Sequence, residues 1–172
     1  AIGGVMDFHT KNIKFSTEKN LIFNGNSLIK YYSASNSKHF NLNLTFANKN
    51  FTSFSSISLK NFDDLKTGNK RTKEYPDYGK RLEFVEVGNS DLIVSNKNYN
   101  IQKYSGYSQI NLIQKFKFKF LKNHLISYNI YFSNSSNIPR YDRLIQYSDF
   151  FSPRYSEWYY GPQKFLMNKL KL

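Results

Sequence analysis

Between Gln109 and Phe120 the chain reads Gln-Ile-Asn-Leu-Ile-Gln-Lys-Phe-Lys-Phe-Lys-Phe. Successive side chains on a strand point to opposite faces. As a strand, this run puts Ile110, Leu112, Phe116, Phe118 and Phe120 on one face. Gln109, Asn111, Lys115, Lys117 and Lys119 take the other. The same period of two recurs from His39, where Phe40, Leu42, Leu44 and Phe46 oppose Asn41, Asn43 and Thr45. It recurs again from His124, where Ile126, Tyr128, Ile130 and Phe132 oppose Ser127, Asn129, Tyr131 and Ser133. No sustained apolar stripe at helical spacing, with caps, accompanies these runs. Weaker alternation covers Asn26–Ser35 and Phe51–Phe62, and a last strand is expected over Tyr159–Leu172. Gly161-Pro162 interrupts its start, because proline has no donor for a ladder. The expected fold is all-β, built from antiparallel strands.

The connections sort by length. Residues 47–50 and 121–123 are tight, whereas residues 63–105 and 134–158 are long. The link near Asn36-Ser37 is short where a long one is expected. Long loops on one side and tight turns on the other are the pattern of a membrane β-barrel, with extracellular loops above and periplasmic turns below. An antiparallel sandwich or a lipocalin-like barrel also alternates, with its apolar face in a core. Long Lys and Gln side chains on the polar faces suit a wide, wet lumen, and aromatic residues near strand ends suit interfacial girdles.

Composition narrows the choice. Aromatic residues make up 18% of the 172, too many for a disordered chain. With no cysteine there is no disulfide framework, no cysteine zinc site and no thiol nucleophile. No apolar run is long enough for a transmembrane helix. The first residues show neither an initiator Met nor a signal peptide, so the numbering is expected to begin inside a longer chain or after processing. The net charge of +13 is compatible with a Lys/Asn-rich coding bias, or with nucleic acid, anionic lipid or an anionic ligand as partner.

Three stretches carry a resemblance. Ala1-Ile2-Gly3-Gly4-Val5-Met6-Asp7-Phe8-His9-Thr10-Lys11 resembles the last plug strand of TonB-dependent outer-membrane receptors, with Val5–Phe8 as a short strand. Asn61-Phe62-Asp63-Asp64-Leu65-Lys66-Thr67-Gly68-Asn69 is similar to the loop that follows the third barrel strand of that family. Ile138-Pro139-Arg140-Tyr141-Asp142-Arg143-Leu144, with Glu157-Trp158-Tyr159-Tyr160-Gly161-Pro162-Gln163, resembles a Bacteroidetes-type subgroup, as does Tyr107-Ser108-Gln109 before a long strand. The resemblance implies a closed barrel of about 22 strands around a plug. It assigns residues 1–12 to the end of the plug and 13–172 to the N-terminal part of the barrel, about six strands. It further implies a bacterial outer-membrane location and active uptake of a scarce nutrient, such as an iron chelate (a siderophore), haem or cobalamin. TonB would supply the energy through plug residues that this chain lacks. Six strands alone leave unpaired edges in lipid. The chain is therefore expected to be a piece of a longer receptor or a decayed, non-functional remnant. The alternative is a small basic antiparallel β-sheet binding protein.

The stretch Ser136–Phe165 concentrates tyrosines, prolines and arginines without periodicity. As an extracellular loop with interfacial flanks, it would place Trp158, Tyr159 and Tyr160 where rings meet both lipid and water. Arg140, Asp142 and Arg143 would pair to hold the loop over the barrel mouth. Arg140, Tyr141, Arg143, Arg154 and Tyr155 are the candidates for capture of an anionic or aromatic ligand.

Other chemistry is thin. His9, His39 and His124 lack any metal-ligand spacing, and no cofactor is expected. Asp63 and Asp64 are adjacent, so strand geometry points them apart, which does not suit a hydrolytic pair. Glu83 and Glu86 are expected in a hairpin within the long loop. No enzyme is expected. The Lys-Phe repeat over 115–120 raises nucleic-acid binding, but a sheet that reads bases needs rings and cations on one face. On a strand these fall on opposite faces, so no nucleic-acid partner is expected.

Overall fold

The computed structural model describes residues 3–4, 6–7, 9–17, 21–121 and 124–172. It is all-β apart from one helical turn. In chain order the strands are β1 (Ile22–Tyr32), β2 (Ser37–Ala47), β3 (Phe51–Phe62), β4 (Leu65–Lys66), β5 (Glu83–Glu86), β6 (Leu92–Ser95), β7 (Ile101–Gln102), β8 (Tyr107–Leu121), β9 (His124–Ser135), β10 (Ile138–Pro139), β11 (Tyr159–Tyr160) and β12 (Lys164–Lys171). The helical turn α1 is Tyr141–Leu144. Six of these form one sheet in the order β1-β2-β3-β8-β9-β12, antiparallel throughout. Three small ladders, β4-β7, β5-β6 and β10-β11, lie within the long connections.

Five of the expected strands are present, Phe51–Phe62 with the expected bounds and the others with shifted ends. The first runs over Ile22–Tyr32 rather than Asn26–Ser35. Asn36, at φ 46°, turns the chain through the left-handed region that asparagine tolerates, so residues 33–36 become the turn. The expected last strand is divided. Tyr159–Tyr160 pairs with β10, and only Lys164–Lys171 joins the main sheet, because Gly161-Pro162 falls between them. Glu83 and Glu86 do sit in a hairpin, β5-β6. The short strand expected over Val5–Phe8 falls partly on residues 5 and 8, which lie outside the described set. Met6 and Asp7 pair with no ladder.

The ladders assign each strand residue to a face. One face carries Phe40, Leu42, Leu44, Ile57, Leu59, Ile110, Leu112, Phe132 and Leu166 in cross-strand rows. No layer of the described residues packs on it. Ile29 is 79% exposed, Leu166 and Leu170 64%, and Phe118 46%. On the opposite face lie Ser37, Ala47, Thr52, Phe54, Lys115, Ser127 and Ser135. These are all the buried side chains of the main sheet among the described residues. Burial is therefore skewed: the buried strand side chains lie on the polar face, and the apolar face is half-buried to exposed.

Residues 10–16 supply part of the cover, running obliquely over the polar face. Lys115 Nζ donates to Thr10 Oγ1 at 2.6 Å and to the Lys11 carbonyl at 2.7 Å. Lys117 Nζ donates to Asn12 Oδ1 at 2.8 Å and to the Ile13 carbonyl at 2.9 Å. Lys11 sits over the Phe54 ring, 4.9 Å from its centroid. The Ser16 amide donates to the Asn48 carbonyl at the β2-β3 turn, and Ile13 is buried. The alternation of Lys and Phe in β8 thus has a structural use. The ammonium groups supply the hydrogen bonds that an unpaired, extended segment would otherwise lack.

Polar side chains interrupt the apolar face, Ser53, Ser55 and Gln114 among them. Gln114 lies on the apolar face, opposite Ser55. Ser55 Oγ donates to Gln114 Oε1 at 2.5 Å, and Gln114 Nε2 donates to Ser53 Oγ at 2.9 Å. Both ends of the amide are satisfied without water.

Replacing Lys115 with Ala removes two charge-assisted hydrogen bonds, each worth about 1.5–3 kcal/mol. Tryptic cleavage after Lys14 should then accelerate about tenfold or more, with amide protection in β2, β3 and β8 unchanged. An unchanged cleavage rate would mean that the segment is held by something other than this lysine.

Candidate functional site

The three upper connections emerge from the same end of the sheet: residues 33–36, 63–106 and 136–163. The two long ones pack on one another. Residues 63–106 are tied together largely by amide side chains. Asn96 Nδ2 donates to the carbonyls of Arg81 and Ile101, both at 2.9 Å. Gln102 Nε2 donates to the Gly79 carbonyl at 2.7 Å, and Arg71 reaches Asn100 Oδ1 at 2.6 Å. Gly79, at φ 70°, takes a backbone conformation that an L side chain would strain. Asp64 anchors the end of this connection, its Oδ1 accepting from the amides of Ser105 (2.9 Å) and Gly106 (3.2 Å). The adjacent Asp63 accepts instead from Asn36 Nδ2 at 3.0 Å, so the two carboxylates serve separate structural ends.

In the second connection, α1 and β11 fold against each other. The Arg140 amide donates to the Trp158 carbonyl at 2.8 Å. Tyr141 joins the two connections, its hydroxyl donating a short hydrogen bond to Gln102 Oε1. Burial raises the Tyr141 phenol above its usual pKa, and the nearby Arg81 guanidinium opposes that rise. The Arg81 guanidinium lies over the Tyr141 ring at 5.8 Å.

The sequence-predicted ligand residues are placed as follows. Arg140 pairs with Asp142 at 2.6 Å and lies 5.6 Å from the Tyr160 ring centroid. Hydrogen bonding to Arg140 holds the Asp142 carboxyl below its ordinary value. Arg143 packs over Trp158 at 5.5 Å, and Arg154 over Tyr155 at 5.4 Å. Tyr155 meets Trp158 edge-on at 4.6 Å. These arginines are stacked or paired within their own loop and do not converge on one point. The Arg140-Asp142-Arg143 ion pairs are local to α1, and the ties to the other loop come from Tyr141. Trp158 and Tyr159 line a cleft of about 480 Å³ with Asp64, Tyr104, Pro139 and Leu144. Tyr160 is exposed.

A second cavity, about 360 Å³, lies where the two connections meet, and Tyr141 lines it. Its main cation is Arg81, which the sequence reading did not single out. The signal was present in Arg81-Leu82-Glu83-Phe84-Val85, where alternation puts Arg81 on the same face as the buried Val85.

The histidines are far apart in role. His39 is sandwiched between Tyr32 and Phe62, with ring centroids at 5.0 and 4.8 Å. His9 contacts Asp7 at 2.7 Å, and His124 lies beside Phe120. Among the described residues no three His, Asp or Glu gather as a metal site. Lys115 and Lys117, the cations of the Lys-Phe repeat, are taken up by residues 10–13. No family model, curated protein or solved structure matches the chain.

Changing Tyr141 to Phe leaves Gln102 Oε1 without its donor inside the loop assembly, at a cost of about 1–3 kcal/mol. Hydrogen exchange should rise in both connections and not in the main sheet. Alkali should do the same in the unaltered chain. A phenol with a raised folded pKa contributes stability that is complete below its ordinary value of 10.0 and lost as pH climbs through the folded value. Exchange that stays flat in the Phe variant would detach Tyr141 from loop packing.

Proposed function

We propose that the six-stranded sheet is an arc of an outer-membrane β-barrel wall, in a receptor of the TonB-dependent type that takes up a scarce nutrient in a bacterium. The observation that carries this reading is the skewed burial. Water-exposed sheets keep their apolar face against a core. Here no layer of the described residues packs on that face, while the buried side chains, mostly serines, a threonine and a lysine, lie on the other, the arrangement that lipid outside and a filled interior require.

The dimensions agree. From Phe51 to Leu59, and from Ile110 to Phe118, this face spans nine residues, eight steps of about 3.4 Å, or about 27 Å along the strand. A tilt of about 40° reduces this to roughly 20 Å of height, close to the band of about 25 Å in such barrels. Phe46, Phe51, Phe116 and Phe118 gather at its lower edge. Lys38, Asn61, Ser108, Asn134 and Lys164 occupy the corresponding face at the upper edge.

Residues 10–16 lie on the polar face, the side where the resemblance would place a plug. In this reading the plug's end is strapped to the inside of the wall, and residues 63–106 and 136–163 stand outside the cell as part of the ligand-facing surface. The edges at β1 and β12 require further strands, since lipid cannot satisfy an open ladder.

Fractionation of cells that carry the gene tests this directly. An antibody to residues 136–165 should detect the protein in the outer membrane, in a band whose mobility shifts on boiling. A soluble 20.3 kDa band would sink the reading in favour of a small basic binding protein. Depth provides a second check. Leu112→Lys, at mid-band, should cost about 2–4 kcal/mol in lipid vesicles, and Phe118→Lys, at the lower edge, about 0–1 kcal/mol. Equal costs at the two positions would remove the lipid assignment.

A further inference from the structure

The guanidinium of Arg81 is the least explained charge in the molecule. Only 4% of the residue is exposed. Its Nε has no hydrogen-bond partner, and among the described residues it forms no ion pair. A buried cation in this state is costly, because desolvation is not offset by an opposite charge. The nearest anions are engaged elsewhere. Glu83, on the same face of β5, lies beside the Tyr147 phenol and adds to burial in raising its pKa, and Asp64 holds the amides of Ser105 and Gly106. Lys80, the other cation at this place, pairs with Asp77 at 2.8 Å.

Arg81 lines a cavity of about 360 Å³ together with Tyr141, Tyr147, Leu82, Ile145 and Gln102. That volume is at the small end of ligand pockets, which run from about 300 to 1,000 Å³. Its walls combine two phenol rings with two aliphatic side chains. A guanidinium presents a planar fork that matches a carboxylate through two parallel hydrogen bonds. With one uncompensated positive charge and Glu83 close by, a single negative charge suits the site better than a doubly charged phosphate.

We propose that the cavity between residues 79–82 and 141–147 is a binding site for a small carboxylate with an aromatic or aliphatic body, its carboxyl group paired with Arg81. The ring of the ligand lies against Tyr141 and Tyr147, and Gln102 holds Tyr141 in place. Occupation of the site ties the two long connections together, because each contributes one wall. The site itself is independent of the membrane reading. Only its use in capturing a nutrient rests on that reading.

The test uses the full chain refolded in detergent micelles and equilibrium dialysis against radiolabelled benzoate, with inorganic phosphate as the second arm. Benzoate should bind saturably at one site. Arg81→Gln should weaken it at least tenfold, and Arg81→Lys, which keeps the charge but loses the fork, should fall between the two. Arg154→Gln should leave it unchanged. Should Arg81→Gln disturb the fold, the unaltered chain labelled with ¹⁵N-arginine answers instead: benzoate should shift a single Nε–H resonance, the one missing in Arg81→Lys. Absence of saturable binding, equal binding by Arg81→Gln, or phosphate binding more tightly than benzoate would each overturn the proposal. Benzoate binding by a chain that fractionates from cells as a soluble 20.3 kDa protein would overturn the membrane reading alone. Normal insertion without benzoate binding would overturn the site alone.

Discussion

The sheet is a single layer, and a single layer cannot bury both of its faces. Every other feature of the molecule follows from how that constraint is met. Five antiparallel ladders supply the backbone hydrogen bonds of the main sheet. Among the described residues no second layer packs against Leu42, Ile57 or Leu112, so much of the ordinary hydrophobic contribution to folding is missing on that side until another apolar surface provides it. Stability in water would rest on the ladders, the polar face and the loop assembly. This explains why the most buried strand side chains, Thr52 and Ser37, are small and polar.

The polar face depends on lysine in a way that its net charge does not suggest. Lys115 is 6% exposed, and its ammonium group is spent on a hydroxyl and a carbonyl rather than on a counter-ion. Much of the surplus positive charge lies elsewhere, but these two lysines are structural. They act across roughly a hundred residues of sequence, joining residues 10–13 to a strand that forms much later in the chain.

Strand existence was legible because alternation depends only on backbone geometry. Phe40–Phe46 and Ile126–Phe132 read as strands by inspection, and the ladders pair them in the expected antiparallel sense. Strand ends were less legible. Asn36 and Pro162 act through the allowed φ of one residue and the missing donor of another, and hydrophobic pattern carries neither signal. The loops were least legible. Arg140, Arg143 and Arg154 stood out as charges in an aromatic stretch, yet each stacks on its own loop's rings. Arg81 was inconspicuous because its burial comes from contact with a segment some sixty residues away. A cavity with walls from two distant connections is not visible in either alone, although alternation does place Arg81 on the face of the buried Val85. Which face lies in lipid was likewise not decidable from alternation, since a core and a bilayer impose the same period of two.

Gln114 has a consequence for assembly order. Its amide bridges Ser53 and Ser55 across the β3-β8 ladder, on a face whose neighbouring rows are largely interchangeable hydrocarbon. Leucines and isoleucines that slide past one another by two residues meet equally apolar neighbours, so they do not define which pairing is correct. The amide does. Displaced by one step toward Ile57, it would stand in an apolar row with one serine out of reach and its hydrogen bonds broken. A lone carboxamide between two hydroxyls thus works as a notch on an otherwise smooth rail, stopping the longest strand of the sheet at one position.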